Sequence, residues 1–130
     1  MGNFYLYGDD LHKMKIKYKN KKVKKQCEDL KTAVKDFDNK TAEKLHATIN
    51  FIKNAKNLRD IVNMPIYHFH HLEGKRKEQY AMDINGRKSG YRLIVVPLDE
   101  NENEVRRDGA ESIFECTNIL LIVEVSKHYD

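Results

Sequence analysis

Ile119-Leu120-Leu121-Ile122-Val123-Glu124-Val125 is the stretch on which the fold turns. It is apolar nearly throughout, and it reads as a central strand covered on both faces. A strand of that kind needs neighbours, and the chain just upstream supplies them. Residues 91–96 form a second apolar run, closed by Pro97. Residues 80–84 (Tyr-Ala-Met-Asp-Ile) alternate as a half-buried strand does. Asn85-Gly86 between these two is the strongest short turn signal in the chain. Residues 99–111 are acidic and polar and read as a loop or hairpin arm, and residues 113–116 as a short strand.

The N-terminal half has a different period. Met14-Lys15-Ile16-Lys17-Tyr18 alternates and reads as a first strand. Val23, Cys27, Leu30, Val34 and Phe37 then recur at helical spacing, so one amphipathic helix is expected across them. Asp38-Asn39 ends that segment and offers an N-cap to the next. Ala42, Leu45, Ile49 and Ile52, with Ala55 and Leu58 beyond, mark a second helix, and Pro65 stops any continuation. The order strand, helical hairpin, strands predicts an α+β domain. Two helices pack on one face of a mainly antiparallel sheet of about four strands. Residues 14–130 are read as this single domain, and residues 1–13 as a poorly ordered extension.

Composition narrows the class. The chain has 130 residues, 40% hydrophobic and 34% charged, enough for one core without covalent staples. Its longest apolar run is far short of a membrane span, and the N-terminus carries Asp9 and Asp10 instead of a secretory signal. No Pro- or Ser-rich low-complexity stretch occurs, so full disorder does not fit. Cys27 and Cys116 each fall in an apolar-periodic stretch and read as reduced core residues of a cytosolic protein.

The net charge of +4 hides an asymmetry. Residues 1–64 hold 15 basic and 8 acidic side chains, a net of +7; residues 65–130 hold 9 and 12, a net of −3. Eight lysines (13, 15, 17, 19, 21, 22, 24, 25) occupy residues 13–25 with no acid among them. Lys75-Arg76-Lys77, Arg87, Lys88 and Arg92 make a second basic group. Such stripes attract phosphate backbones, and they also occur as ordinary solvated faces.

Histidine carries most of the chemical signal. His68, His70 and His71 follow Pro65, and His128-Tyr129 follows the last strand. The first group reads either as an amphipathic aromatic segment or as a site. The second reads as a frayed tail or as a His and Tyr held at the lip of a sheet, where they can move protons and stack on a base. No metal site is expected, because the cysteines are single and no HExxH occurs. Gly-rich phosphate loops and a GxSxG elbow are likewise missing from the sequence.

Several segments together resemble the HigB branch of the RelE/ParE toxin superfamily. They are Pro65, Phe69-His70-His71-Leu72-Glu73-Gly74-Lys75-Arg76, Gln79-Tyr80-Ala81-Met82-Asp83-Ile84-Asn85, Tyr91-Arg92-Leu93-Ile94 and the terminal Glu124-Val125-Ser126-Lys127-His128-Tyr129. The shared pattern is an H-x-L-x-G turn, an aromatic opening the next strand, and an Arg one strand later. The resemblance covers roughly residues 14–130.

That resemblance implies a cytoplasmic type II toxin acting as a ribosome-dependent mRNA endonuclease without metal or other cofactor. The ribose 2′-OH attacks its own scissile phosphate and leaves a 2′,3′-cyclic phosphate and a 5′-OH. By position, His70 corresponds to the base, Arg92 to the cation at the transition state and His128 to the acid, with Tyr129 stacking or orienting. Glu73 stands where the family often has Lys. It is an alternative base, and Lys75 or Arg76 are substitutes for the missing cation. Lys77, Arg87 and Lys88 complete the RNA-binding candidates. Lys15, Lys17, Lys19, Lys21, Lys22, Lys24 and Lys25 become candidates for ribosome contact. Implied partners are mRNA, the ribosome and a small helix-turn-helix, HigA-like antitoxin, with no membrane. The main alternative is a ParE-like toxin that inhibits DNA gyrase and cuts nothing; an inactive relic and an unrelated basic RNA-binding domain also stand. On the endonuclease reading Arg92→Ala and His128→Ala abolish toxicity and leave the fold intact, whereas His46 and His68 matter little.

Overall fold

The computed structural model describes residues 13–74, 78–105 and 114–127. The strand expected at residues 119–125 is present and longer, running Ile119–Lys127 (β5). It lies between the N-terminal strand β1 (Lys15–Tyr18) and β4 (Tyr91–Leu98). Beyond β4 come β3 (Tyr80–Asp83) and a two-residue edge strand β2 (His70–His71), so the order is β1-β5-β4-β3-β2. The sheet is mixed: β1 pairs with β5 in parallel and every other pair is antiparallel. The fold is α+β, with one strand more than the sequence suggests.

The helical half departs from its expected outline. Asp29 splits the first helix into α1 (Lys21–Glu28) and α2 (Leu30–Asp36). Its backbone is extended at φ −114, and its carboxylate caps α2 by accepting from the Thr32 N–H at 3.2 Å. Aspartate competes with the helix for backbone donors, so a helix breaks where it can cap a new one. The break turns Leu30 out of the expected core stripe and leaves it 48% exposed. The second helix forms as α3 (Asn39–Asn54), capped by Asp38 through the Thr41 N–H at 2.7 Å. Leu58 belongs to a separate short helix, α4 (Leu58–Val62).

Helices and sheet share one core. Leu45 and Ile52 of α3, Leu58 and Ile61 of α4, and Met82, Leu93, Val95, Leu120 and Ile122 of the sheet are all fully buried in it. Each such side chain contributes about 1.5–3 kcal/mol of burial. The other face of the sheet carries a second apolar cluster with Ala81, Ile94, Val96, Leu98, Ile119 and Val123. β5 is therefore apolar on both faces, as its composition suggests.

A bulge sets the phase of its last turn. Ile94 pairs with Glu124 but Val95 pairs with Ile122, which leaves Val123 as the extra residue. Leu120, Ile122 and Val125 consequently all pack on the helical side, although their spacing is two and then three.

Several loops differ from expectation. Pro97 lies inside β4 and does not close it. Its carbonyl accepts from the Val105 N–H, so its ring nitrogen faces away from β5 and no ladder bond is lost. Asn85-Gly86 begins a longer connection, in which a 3-10 turn (Arg87–Ser89) precedes β4. Phe114 to Cys116 form a 3-10 segment and turn, not a strand. Residues 99–105 make a turn closed by a Leu98–Glu104 bridge. Cys27 is buried as expected, but Cys116 is exposed because its segment turns at the surface. Residues 1–12 and 106–113 lie outside the described residues, as does most of the expected N-terminal extension. No helix among the described residues is long and apolar enough to cross a membrane.

Candidate functional site

His70 and Arg92 share one face of the sheet for a topological reason. His70 pairs with Ala81, and two residues along β3 Asp83 pairs with Arg92 of β4. Side chains paired across strands, and those two apart along a strand, share a face. His70, Asp83 and Arg92 therefore lie on the face opposite the helices. Ser126 pairs with Arg92 in turn, and Lys127 pairs with Tyr91. The end of β5 thus arrives beside Arg92.

The backbone bend before β2 orients His70. Pro65–Tyr67 form a 3-10 turn, and His68 ends it in the left-handed region at φ 43. This puts the His68 carbonyl 2.7 Å from His70 Nδ1. A carbonyl oxygen only accepts, so Nδ1 carries the hydrogen and Nε2 of the neutral ring keeps its lone pair. The two imidazoles lie 4.5 Å apart between centroids. The His68 pKa is lowered, first by burial and then by its neighbours Arg87 and His70, with Asp83 opposing and Arg92 adding to the shift. His68 thus lies within the cluster. The His-x-His spacing is the only trace of this in the sequence.

Arg92 is more tightly held than a reagent needs to be. Its side chain is 14% exposed, and its Nε lies 3.1 Å from Asp83 Oδ1, whose side chain is 1% exposed. Nη1 donates to the Tyr91 carbonyl and Nη2 to the Arg87 carbonyl, each at 2.8 Å. The Asp83 carboxylate makes no well-formed hydrogen bond among the described residues, so the guanidinium is its countercharge there. Removing one member of a buried pair strands the other charge. The expectation that Arg92→Ala leaves the fold intact is therefore revised. Arg87 and Lys88 are exposed on the 3-10 turn that Arg92 holds from below.

Glu73 is exposed just beyond β2, next to Gly74 at φ 75. Lys75, Arg76, Lys77, His128 and Tyr129 lie outside the described residues. The lysine run is elsewhere. Lys15, Lys17 and Lys19 project from or beside β1, and Lys21, Lys22, Lys24 and Lys25 from α1, all exposed. Four strand spacings separate β1 from β2, roughly 20 Å across the sheet. Lys17 is paired with Glu102, and Lys19 and Lys22 line a groove of about 650 Å³ between α1, α2 and β5. His46 is structural: its Nε2 lies 3.0 Å from the Gln26 carbonyl and ties α3 to α1.

Among the described residues no group of three or more His, Cys, Asp or Glu is placed to hold a metal ion. No protein-family model, curated protein or solved structure matches the chain.

Proposed function

We propose that the protein is the toxin of a type II toxin–antitoxin pair. It acts in the cytoplasm as a ribosome-dependent mRNA endonuclease and is neutralised by a helix-turn-helix antitoxin. The observation that supports this most is the His70 ring, held by the His68 carbonyl with Nδ1 as donor and Nε2 as acceptor and packed against His68, which feels the charges of Arg87 and Arg92. A neutral imidazole in that tautomer is a ready general base, worth roughly 10²–10⁴-fold. The order strand, helical hairpin, antiparallel strands also agrees with what the resemblance implies.

In this reading Nε2 of His70 takes the 2′-OH proton, and the 2′-oxygen attacks the adjoining phosphorus. The bond from phosphorus to the 5′-oxygen breaks. His128, one residue beyond the strand end that faces Tyr91, protonates the leaving oxygen. The products are a 2′,3′-cyclic phosphate and a 5′-OH. Arg87 bears on the charge of the phosphorane-like transition state, and Arg92 is its positioning residue through the Arg87 carbonyl.

Primer extension on a defined mRNA, with and without programmed ribosomes, tests the reading. Wild type, His70→Ala and a chain ending at Lys127 are compared. Cutting by wild type only with ribosomes, and at least a hundredfold slower in both variants, is expected. Cutting without ribosomes, or full activity in the shortened chain, overturns it. No cutting in any lane shifts the reading to gyrase, which a DNA supercoiling assay then addresses.

A further inference from the structure

Ile66 is 63% exposed and Met64 is 38% exposed, two large apolar side chains flanking Pro65. Single exposed apolar residues are ordinary, but Ile66 also borders an open cavity of about 390 Å³. Ile66 and Tyr67 line it, facing Lys44 and Thr48 of α3, with Asp83 and Asn85 at the sheet end. Phe51 braces Tyr67 at 5.2 Å between ring centroids. Asn85 sits in the left-handed region at φ 61, followed by Gly86 at φ 80, and this bend brings Asn85 to the rim. Asp83 borders the cavity, while its carboxylate pairs with Arg92 on the face opposite the helices. Tyr67 leads directly into His68, so the cavity and the histidine pair are joined by one step of the chain.

The lining has the chemistry of a heterocycle site. A tyrosine ring and an aliphatic flank offer a stacking slot that does not depend on sequence. A carboxamide presents a donor and an acceptor together, as a base edge does. An ammonium on the opposite rim suits a neighbouring phosphate. The volume falls within the range of small-ligand pockets and exceeds what one base needs. A surface that gripped phosphates alone would have no use for the apolar flank.

We propose that this cavity binds one nucleobase of single-stranded RNA, that of a nucleotide next to the one presented to His70, and that Asn85 reads its edge. The placement rests on the endonuclease reading, whereas base binding itself does not.

Two measurements on the full chain test it. The first is an NMR titration with each of the four nucleoside 5′-monophosphates. Shifts centred on Thr48, Tyr67 and Asn85 are expected with at least one of them. About tenfold weaker binding is expected in Asn85→Gly, which keeps the positive φ and loses the carboxamide. No shift at these residues with any nucleotide overturns the proposal. Shifts confined to the lysines of α1 overturn it too, since they report phosphate binding alone. The second maps cut positions on programmed ribosomes for wild type and Asn85→Gly. A changed base preference beside the cut is expected, and an unchanged pattern overturns the placement next to His70. If wild type binds a base in the cavity but cuts nothing, the endonuclease reading fails and the base site stands.

Discussion

His70 and Arg92 show how differently two residues of one cluster are held. His70 is oriented by a single carbonyl, whereas Arg92 is bound through all three of its nitrogens. Arg92→Ala is therefore expected to destabilise the fold by about 3–5 kcal/mol, since it leaves Asp83 charged and buried. Urea denaturation checks this, and adding Asp83→Asn to the same chain should restore part of the loss. The two cysteines make a second contrast at this scale. Burial, with Glu28 adding to it, pushes the Cys27 thiol up to about 12, while Cys116 is exposed. Thiolate is the reactive form, so iodoacetamide at pH 8 should label the native protein once, at Cys116. Mass spectrometry of the labelled peptides reads the result, and equal labelling of Cys27 would contradict the packing described.

At the scale of elements, short polar caps decide where the helices begin. Asn20 opens α1 by accepting from the Val23 N–H at 2.9 Å. Its replacement by Ala should cost about 1 kcal/mol in a denaturant titration. Asp38 opens α3, and the hydrogen bonds from Thr41 hold its carboxyl below the usual 3.8. A folded pKa below the unfolded one means that the ionised cap stabilises the fold above pH 3.8. That stability is lost as pH falls through the lower folded value. Stability curves of wild type and Asp38→Asn should differ most at neutral pH and converge in acid. Divergence on acidification would refute the assignment. Asp29 uses the same chemistry to break a helix, and this was hard to read in advance. The apolar spacing runs through residue 29 without interruption, and the spacing alone does not weigh a cap against a helix interior.

The whole molecule separates two basic surfaces. The lysines of β1 and α1 stand at one edge of the sheet and the His70 cluster at the other. If the lysines grip ribosomal RNA, Lys22→Ala and Lys24→Ala should each weaken ribosome association. Each should also reduce the slope of log affinity against log salt by about one. The positions of cutting should stay where they are. His70→Ala should do the reverse, ending cleavage while association persists. Sedimentation with ribosomes across a salt series, run beside the primer-extension assay, separates the two effects. A His70 variant that fails to associate would merge surfaces that the fold keeps apart.

The amino-acid sequence by itself determined the class of fold. Period-two and period-3.6 patterns report local geometry, and here they lay in an order that admits little but helices packed on a sheet. It also pointed to His70 and Arg92 as residues to watch. Only the tertiary structure decided their relation, because pairing between strands is a long-range contact that no local pattern encodes. The parallel pairing of β1 with β5, the bulge at Val123 and the burial of Asp83 against Arg92 all arise in this way. A bulge shifts the face on which every later side chain falls, yet the run Ile119 to Val125 is apolar in either phase. The hydrophobicity that announced the strand is what concealed which way its last residues face.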